Sequence, residues 1–260
     1  MIGIGLGIPG TARRLAAPFT PASLSSQLCW LRADLGVTNP SGVSAWANQY
    51  ATTPDRDYAQ SVAGSRPTYT ASSAPFNSLP IIGNANTRYL YPTAGDFDDL
   101  HGGGDFSLYL VGRFTDDGAN WLWSSIPSSG TQKGVALIRA GGTLRVLVGN
   151  GVAAVLNQNN GLVLTTTDAY IVRWVFTPGS ATKSKLRVTR SGGIDTEVTT
   201  ASLLASPIAG ASATPLGLFA SGGGAYPAIW DCAEMIVVSA ALSVGDDANV
   251  MAYLRARYAL

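Results

Sequence analysis

Charge is scarce in this chain. Among 260 residues there are 17 Lys or Arg and 16 Asp or Glu, a charged share of 13 % and a formal net charge of +1. That is about half the usual globular share of charge. No basic surface of the kind that neutralises phosphates is available, so neither nucleic acid nor a nucleotide is an expected partner. "GIGLGIPG" has superficial phosphate-loop spacing, but no strand precedes it and Pro9 interrupts any helix it would open. Glutamate is scarcer still, with only Glu197 and Glu234 in the whole chain. Glycoside hydrolysis needs two carboxylates facing each other across the bond. Asp231 and Glu234 in "WDCAEM" come nearest, but on a regular strand positions i and i+3 point to opposite faces. The expectation is therefore a non-enzymatic protein with no catalytic residues.

His101 is the single histidine and lies in the loop-like "DFDDLHGGGD". A histidine-based zinc site or a Ser-His-Asp triad would have to use it. It reads instead as a solvated loop residue. Asp96, Asp98, Asp99 and Asp105 flank it. Their oxygens suit calcium, but their spacing matches no defined loop, so a solvated acidic loop is expected and no metal or cofactor is assigned. Two cysteines, Cys29 and Cys232, exclude a disulfide scaffold. A bridge would require the first and last strands to pair, and buried free thiols are expected. No run reaches the 18 apolar residues of a membrane span. In "MIGIGLGIPGTARRLAAPF" the arginines follow the apolar run, the reverse of a secretory leader.

What the chain does have is turn punctuation, thirty glycines and fourteen prolines between short apolar runs. "QLCWLR", "VSAWANQ", "RPTY", "LPII" and "TRYLYP" read as short strands. In "DFSLYLVGRF", Phe106, Leu108, Leu110, Gly112 and Phe114 share one face, and Ser107, Tyr109, Val111 and Arg113 the other. "NWLWSS" after "TDDG" reads as its hairpin partner. "GVALIRAGGTLRVLVG" reads as a hairpin turning at Gly141-Gly142, and "SKLRVTRSGGIDTEV" as a second Gly-Gly hairpin. "DAYIVRWVFTPG", "PLGLFAS" and "IWDCAEMIVVS" complete about a dozen strands without βα alternation. The fold class expected is all-β, a sandwich or barrel.

One helix stands out near the C-terminus. Ser243 is its expected N-cap, with Asp246 at a capping-box position. Asp246 and Asp247 suit the start of its dipole, and Arg255 and Arg257 its end. Val250, Leu254 and Tyr258 fall on one face. Residues 1–24 read as an N-terminal arm. Its Ile2, Ile4, Leu6, Ile8, Leu15 and Phe19 offer apolar anchors and its Arg13 and Arg14 offer charge. A disordered terminus and a segment that orders against a partner subunit are both consistent with so much glycine. Residues 25–260 read as one domain.

The order of these segments resembles the concanavalin A-like jelly roll, in its laminin-G-like branch. The resemblance is carried by "LCWLRADLGVT" with Trp30, "VSAWANQ" with Trp46, "RPTY", "LPIIGNANTRYLYP" and the closing "WDCAEMIVVSAALSVGDDANVMAYLRARYAL". It covers residues 27–260 and implies a jelly-roll β-sandwich with a short C-terminal helix. The same sandwich serves lectins, glucanases, adhesion modules and virus particle components. The Gly-rich basic arm is similar in style to that of tailed-bacteriophage virion proteins.

These readings make the chain a bacteriophage structural protein in the virion, a capsid decoration (cement) protein. It would bind the major capsid protein or other virion subunits through its arm, as a homo-oligomer such as a trimer. The alternative is a carbohydrate-binding module or a tail-associated receptor-binding component, with or without calcium. Trp46, Trp121 and Trp123 are the candidate glycan-binding residues. Trp30, Trp174 and Trp230 read as core. Lys183, Lys185 and Arg187 form a basic strand face, either solvated or turned to an acidic partner.

Overall fold

A computed structural model describes residues 19–50, 56–83, 87–93, 97, 100, 104–116, 118, 120–127, 133–180, 182, 184–190, 192–193, 195–200, 214–222 and 228–260. Among these residues, seventeen strands form three antiparallel sheets and one α-helix closes the chain. The strands are β1 (Gln27–Arg32), β2 (Val37–Thr38), β3 (Ala45–Trp46), β4 (Tyr58–Ala59), β5 (Thr68–Ser73), β6 (Leu79–Gly83), β7 (Tyr91–Pro92), β8 (Phe106–Phe114) and β9 (Asn120–Ser124). They continue as β10 (Gly134–Ala140), β11 (Thr143–Gly149), β12 (Ala154–Val163), β13 (Tyr170–Phe176), β14 (Ser184–Arg190), β15 (Asp195–Thr200), β16 (Gly217–Leu218) and β17 (Trp230–Val238). Helix α1 spans Val244–Tyr258.

The largest sheet runs β15-β14-β13-β8-β17-β6-β5, with β1 also paired to β17. A second runs β12-β11-β10-β9-β16, and a small one β2-β3-β4-β7. The main core lies between the two larger sheets. It takes Phe106, Leu108, Leu110 and Phe114 from β8, and Leu137, Leu144, Val146 and Val148 from the facing sheet. The alternation expected for β8 holds: Tyr109 and Val111 point the other way, into a second core. Gly112 stands where the Trp230 indole packs, and a Cβ there would lie 2.8 Å from that ring. The chain is thus an all-β sandwich with a short C-terminal helix.

Helix α1 covers the outward face of the eight-stranded sheet. Val250, Met251, Leu254 and Tyr258 bury against Tyr109, Val111, Ile171, Ile236 and Val238. The Ser243 hydroxyl caps the Asp246 amide at 3.1 Å, as expected. The Asp246 carboxylate bonds the Ser243 hydroxyl at 2.8 Å, since Asp is one methylene shorter than the usual Glu. Asp247 pins the first turn to the sheet. It accepts from the Tyr109 hydroxyl at 2.5 Å and pairs with Arg173 Nε at 2.6 Å. No helix among the described residues is long and apolar enough to cross a membrane.

Both Gly-Gly hairpins form. Ala140 faces Thr143 across Gly141-Gly142, and both glycines have positive φ, as a two-residue hairpin turn requires. The β8–β9 hairpin does not form. β8 pairs with β13 and β17, whereas β9 crosses to the other sheet and pairs with β10 and β16. Leu122 and Trp123 give β9 a large apolar surface that is buried in the main core once the strand joins the opposite layer. "AVLNQNNGLV", polar enough to pass for a loop, is the ten-residue strand β12.

Candidate functional site

Two β-bulges decide which side chains reach the surface. In β9, Trp121 faces Ile138 while Trp123 faces Leu137, so Leu122 is the extra residue. An inserted residue reverses the side-chain parity beyond it. Leu122 and Trp123 therefore both enter the main core, and Trp121 stays outside beside Ile138. Trp121 and Trp123 stand two apart, which in a regular strand would set them on one face, and the bulge separates them. Trp123 is fully buried against Trp174, their ring centroids 6.2 Å apart, and offers no surface for a glycan. Trp46 is fully buried too, its Nε1 donating to the Arg32 carbonyl at 2.8 Å, so it is also withdrawn as a glycan-stacking residue. Of the three candidate tryptophans only Trp121 is half-buried. Trp174 and Trp230 are core, and Trp30 lies under α1.

The second bulge is at Ala233 in β17, where Cys232 faces Gly112 and Glu234 faces Val111. It turns Ala233 and Glu234 to the same outward face, which also carries Asp231. The two carboxylates therefore do not lie on opposite faces, as a regular strand would have placed them. They are nevertheless held apart in separate bonding sets. Asp231 is paired with Arg113 at 2.6 Å. Glu234 is sealed beneath α1. It accepts from Trp30 Nε1 at 2.7 Å, Tyr258 at 2.7 Å and Tyr253 at 3.0 Å, and meets Arg257 Nε at 3.4 Å. Burial pushes the Glu234 carboxyl above the usual glutamate value, against the pull of these donors. Arg257 also binds Asp34 at 2.7 Å. Burial alone would raise Asp34, but hydrogen bonds from Arg32 and Arg257 outweigh it and hold its carboxyl below the usual range.

Cys29 and Cys232 are buried free thiols. The first and last strands do pair, but Cys29 faces Val237, far along β17 from Cys232. Lys185 and Arg187 are matched within the chain, by Glu197 and Asp195 on the neighbouring β15. Lys183, His101, Asp96, Asp98 and Asp99 lie outside the described residues, as do Ile2, Ile4, Leu6, Ile8, Arg13, Arg14 and Leu15 of the arm. Phe19 is described. Its ring meets Tyr253 of α1 edge-on at 6.4 Å, within the same chain. Residues 20–24 continue onto the sandwich, where Leu24 is buried and its carbonyl accepts from Tyr50 at 2.8 Å. Phe19 also lines an open groove of about 570 Å³ with Asn77, Leu79, Ala252, Tyr253 and Ala256.

The outward face of the five-stranded sheet carries the candidate binding surface. Cross-strand pairing sets Trp121, Ile138, Arg145 and Asn159 in one row over four strands. Three strand spacings make that row about 14 Å long. Ile138 is nearly buried, Trp121 and Arg145 are half-exposed, and Asn159 is exposed. In the next row Asn157 lies opposite Leu147, and its Oδ1 accepts from Arg145 Nε at 2.6 Å. An aromatic face followed by amide and guanidinium groups is the surface a sugar needs. It gives an apolar platform for the ring face and donors and acceptors for the hydroxyls. Sequence reasoning found Trp121 but not Asn157 or Asn159. Their signal was the alternation of asparagines after an apolar pair, masked by the polarity of "NQNN".

No family model matches the chain, and no curated protein matches it. Several solved structures do resemble it. Trypanosoma rangeli sialidase in complex with the inhibitor DANA aligns with a TM-score of 0.56 at 13 % identity, over 91 % of this chain and 35 % of that one. A structure concerned with how botulinum neurotoxin type C enters cells through two ganglioside molecules aligns at 0.50 and 8 % identity, over 88 % of this chain and 51 % of that one. The enzymatically active domain of tailspike protein 2 of bacteriophage CBA120 aligns at 0.49 and 17 % identity, over 74 % and 29 %, too loosely to argue from. The chain spans about half or less of each of these proteins. What the first two share with this chain is the β-sandwich fold.

Proposed function

We propose that this chain is a non-enzymatic glycan-binding module of a bacteriophage virion. In this reading it is a concanavalin A-like sandwich of the laminin-G-like branch, engaging a surface receptor through the outward face of its five-stranded sheet. The observation that carries the reading is the row Trp121, Ile138, Arg145 and Asn159 on that face. Helix α1 already covers the outward face of the other large sheet, and its buried glutamate is fully engaged. The toxin's dependence on ganglioside molecules supports the idea that such a sandwich suits a protein that meets glycans. Placement in a virion rests on the arm-and-sandwich layout of the sequence.

The test is a glycan array probed with wild type and Trp121→Ala, with melting curves to verify folding. Binding to at least one oligosaccharide class that Trp121→Ala abolishes is expected. Binding unchanged by a folded Trp121→Ala would remove this face from the reading.

A second reading is a capsid decoration protein held through residues 1–24, as a trimer on the major capsid protein. It draws on the groove beside Phe19, where the arm meets α1. Counting this chain against the major shell protein in purified particles separates the two. Hundreds of copies favour decoration, and a few favour a tail-associated receptor binder.

A further inference from the structure

The arginines of this chain are not used alike. Arg32, Arg113, Arg173, Arg187, Arg190, Arg255 and Arg257 each lie within ion-pair distance of an Asp or Glu. Arg145 faces no carboxylate among the described residues. Its only bond there runs from Nε to the neutral amide oxygen of Asn157, at 2.6 Å. Its two terminal nitrogens donate to nothing among the described residues. On a surface so poor in charge, this is a guanidinium that, among the described residues, is held by one edge and meets no carboxylate.

That geometry has a consequence for binding. A long flexible side chain loses rotamer freedom when it grips a ligand, and bracing it beforehand removes much of that cost. Asn157 braces Arg145 through Nε and leaves the planar NH1–NH2 fork without a partner among the described residues. Such a fork matches the two oxygens of a carboxylate, and Arg exceeds Lys in this bidentate role. Trp121 lies two strands away in the same row, about 10 Å off. A sugar ring stacked on Trp121 would thus have a neighbouring residue over Arg145.

We propose that the Trp121–Arg145 row selects glycans that carry a carboxylate, with the acid group on the Arg145 fork and a sugar ring on Trp121. The proposal rests on the glycan-binding reading and adds the ligand class to it. Neutral glycans would use the same platform without the charged contact.

The experiment is titration calorimetry on the full chain with two acidic probes, 3′-sialyllactose and tetragalacturonate, and two neutral ones, lactose and maltotetraose. Wild type should bind at least one acidic probe tenfold or more tightly than its neutral counterpart. Arg145→Gln should abolish that preference while keeping whatever neutral binding exists, and Arg145→Lys should restore only part of it. Equal affinity for acidic and neutral probes, or a preference that survives Arg145→Gln, overturns the proposal and leaves the glycan-binding reading standing. No binding of any probe, with none on the wider array, overturns both. Because Arg145 is half-exposed and lies outside the core, its variants stay folded, and melting curves verify this.

Discussion

The two outward faces of the sandwich are built on the same strand alternation and end in opposite states. On the eight-stranded sheet the outward residues include Tyr109, Val111, Ile171, Ile236 and Val238, all buried. Such a surface needs a cover, and α1 supplies it. The helix does not rest on apolar contact alone. It is keyed at its start by Asp247 and toward its end by Tyr253, Arg257 and Tyr258, which converge on Glu234. On the five-stranded sheet the outward set is mixed. A small cluster of Ile126, Ala136, Ile138 and Leu147 is buried, and around it stand the half-buried Trp121 and Arg145 and the exposed Asn157 and Asn159. One face is closed by a buried carboxylate that holds the lid, and the other displays its polar groups. A polar side chain on a strand is thus a structural key or a surface group according to what covers it.

The contrast breaks most sharply at Glu234. Glu234→Ala leaves two tyrosine hydroxyls, an indole N–H and a guanidinium facing a void, so a loss of about 3–5 kcal/mol in urea unfolding is expected. A loss under about 1 kcal/mol would mean that the helix is held by apolar packing alone. Next come the two indoles separated by the β9 bulge. Trp123→Ala should cost about 3–5 kcal/mol, as a large core side chain does. Trp121→Ala should cost about 1 kcal/mol, within the ordinary range for a partly exposed site. Similar losses for both would place the two rings in equivalent environments and remove the bulge argument.

A smaller effect sharpens the electrostatics of the closed face. Burial raises the Glu234 carboxyl above 4.5. The folded protein therefore holds this proton over a range in which the unfolded chain has released it. This group's contribution to stability is full below 4.5 and falls as pH rises through the folded value. Glu234→Gln has no proton to lose. Relative to wild type it should gain stability as pH rises through that range, measured as paired melting curves. Parallel curves would mean that the donors around Glu234 hold it at its ordinary value. The smallest effect belongs to the open face. Arg145→Gln should change stability by no more than about 0.5 kcal/mol, because its side chain is half-exposed and, among the described residues, bonded to one neutral amide.

Local chemistry alone made much of this molecule legible. The alternation of β8, the two Gly-Gly hairpins, the Ser243 cap and the buried stripe of α1 all follow from interactions within a few residues. The all-β class followed from turn punctuation and the absence of βα alternation. Trp121 was legible as a candidate, but not its separation from Trp123, because the parity of β9 depends on an extra residue at Leu122 set by pairing with β10. The same holds at Ala233, where the bulge against β8 turns Glu234 beneath the helix. The β9 crossover, the burial of Trp46 and the row joining Trp121 to Arg145 and Asn159 were likewise decided by pairing between distant segments. Periodicity within a strand reports which residues alternate. Which face is covered, and which neighbours a residue meets across the sheet, depends on register and layer packing between strands far apart in the chain, and only the tertiary structure sets those.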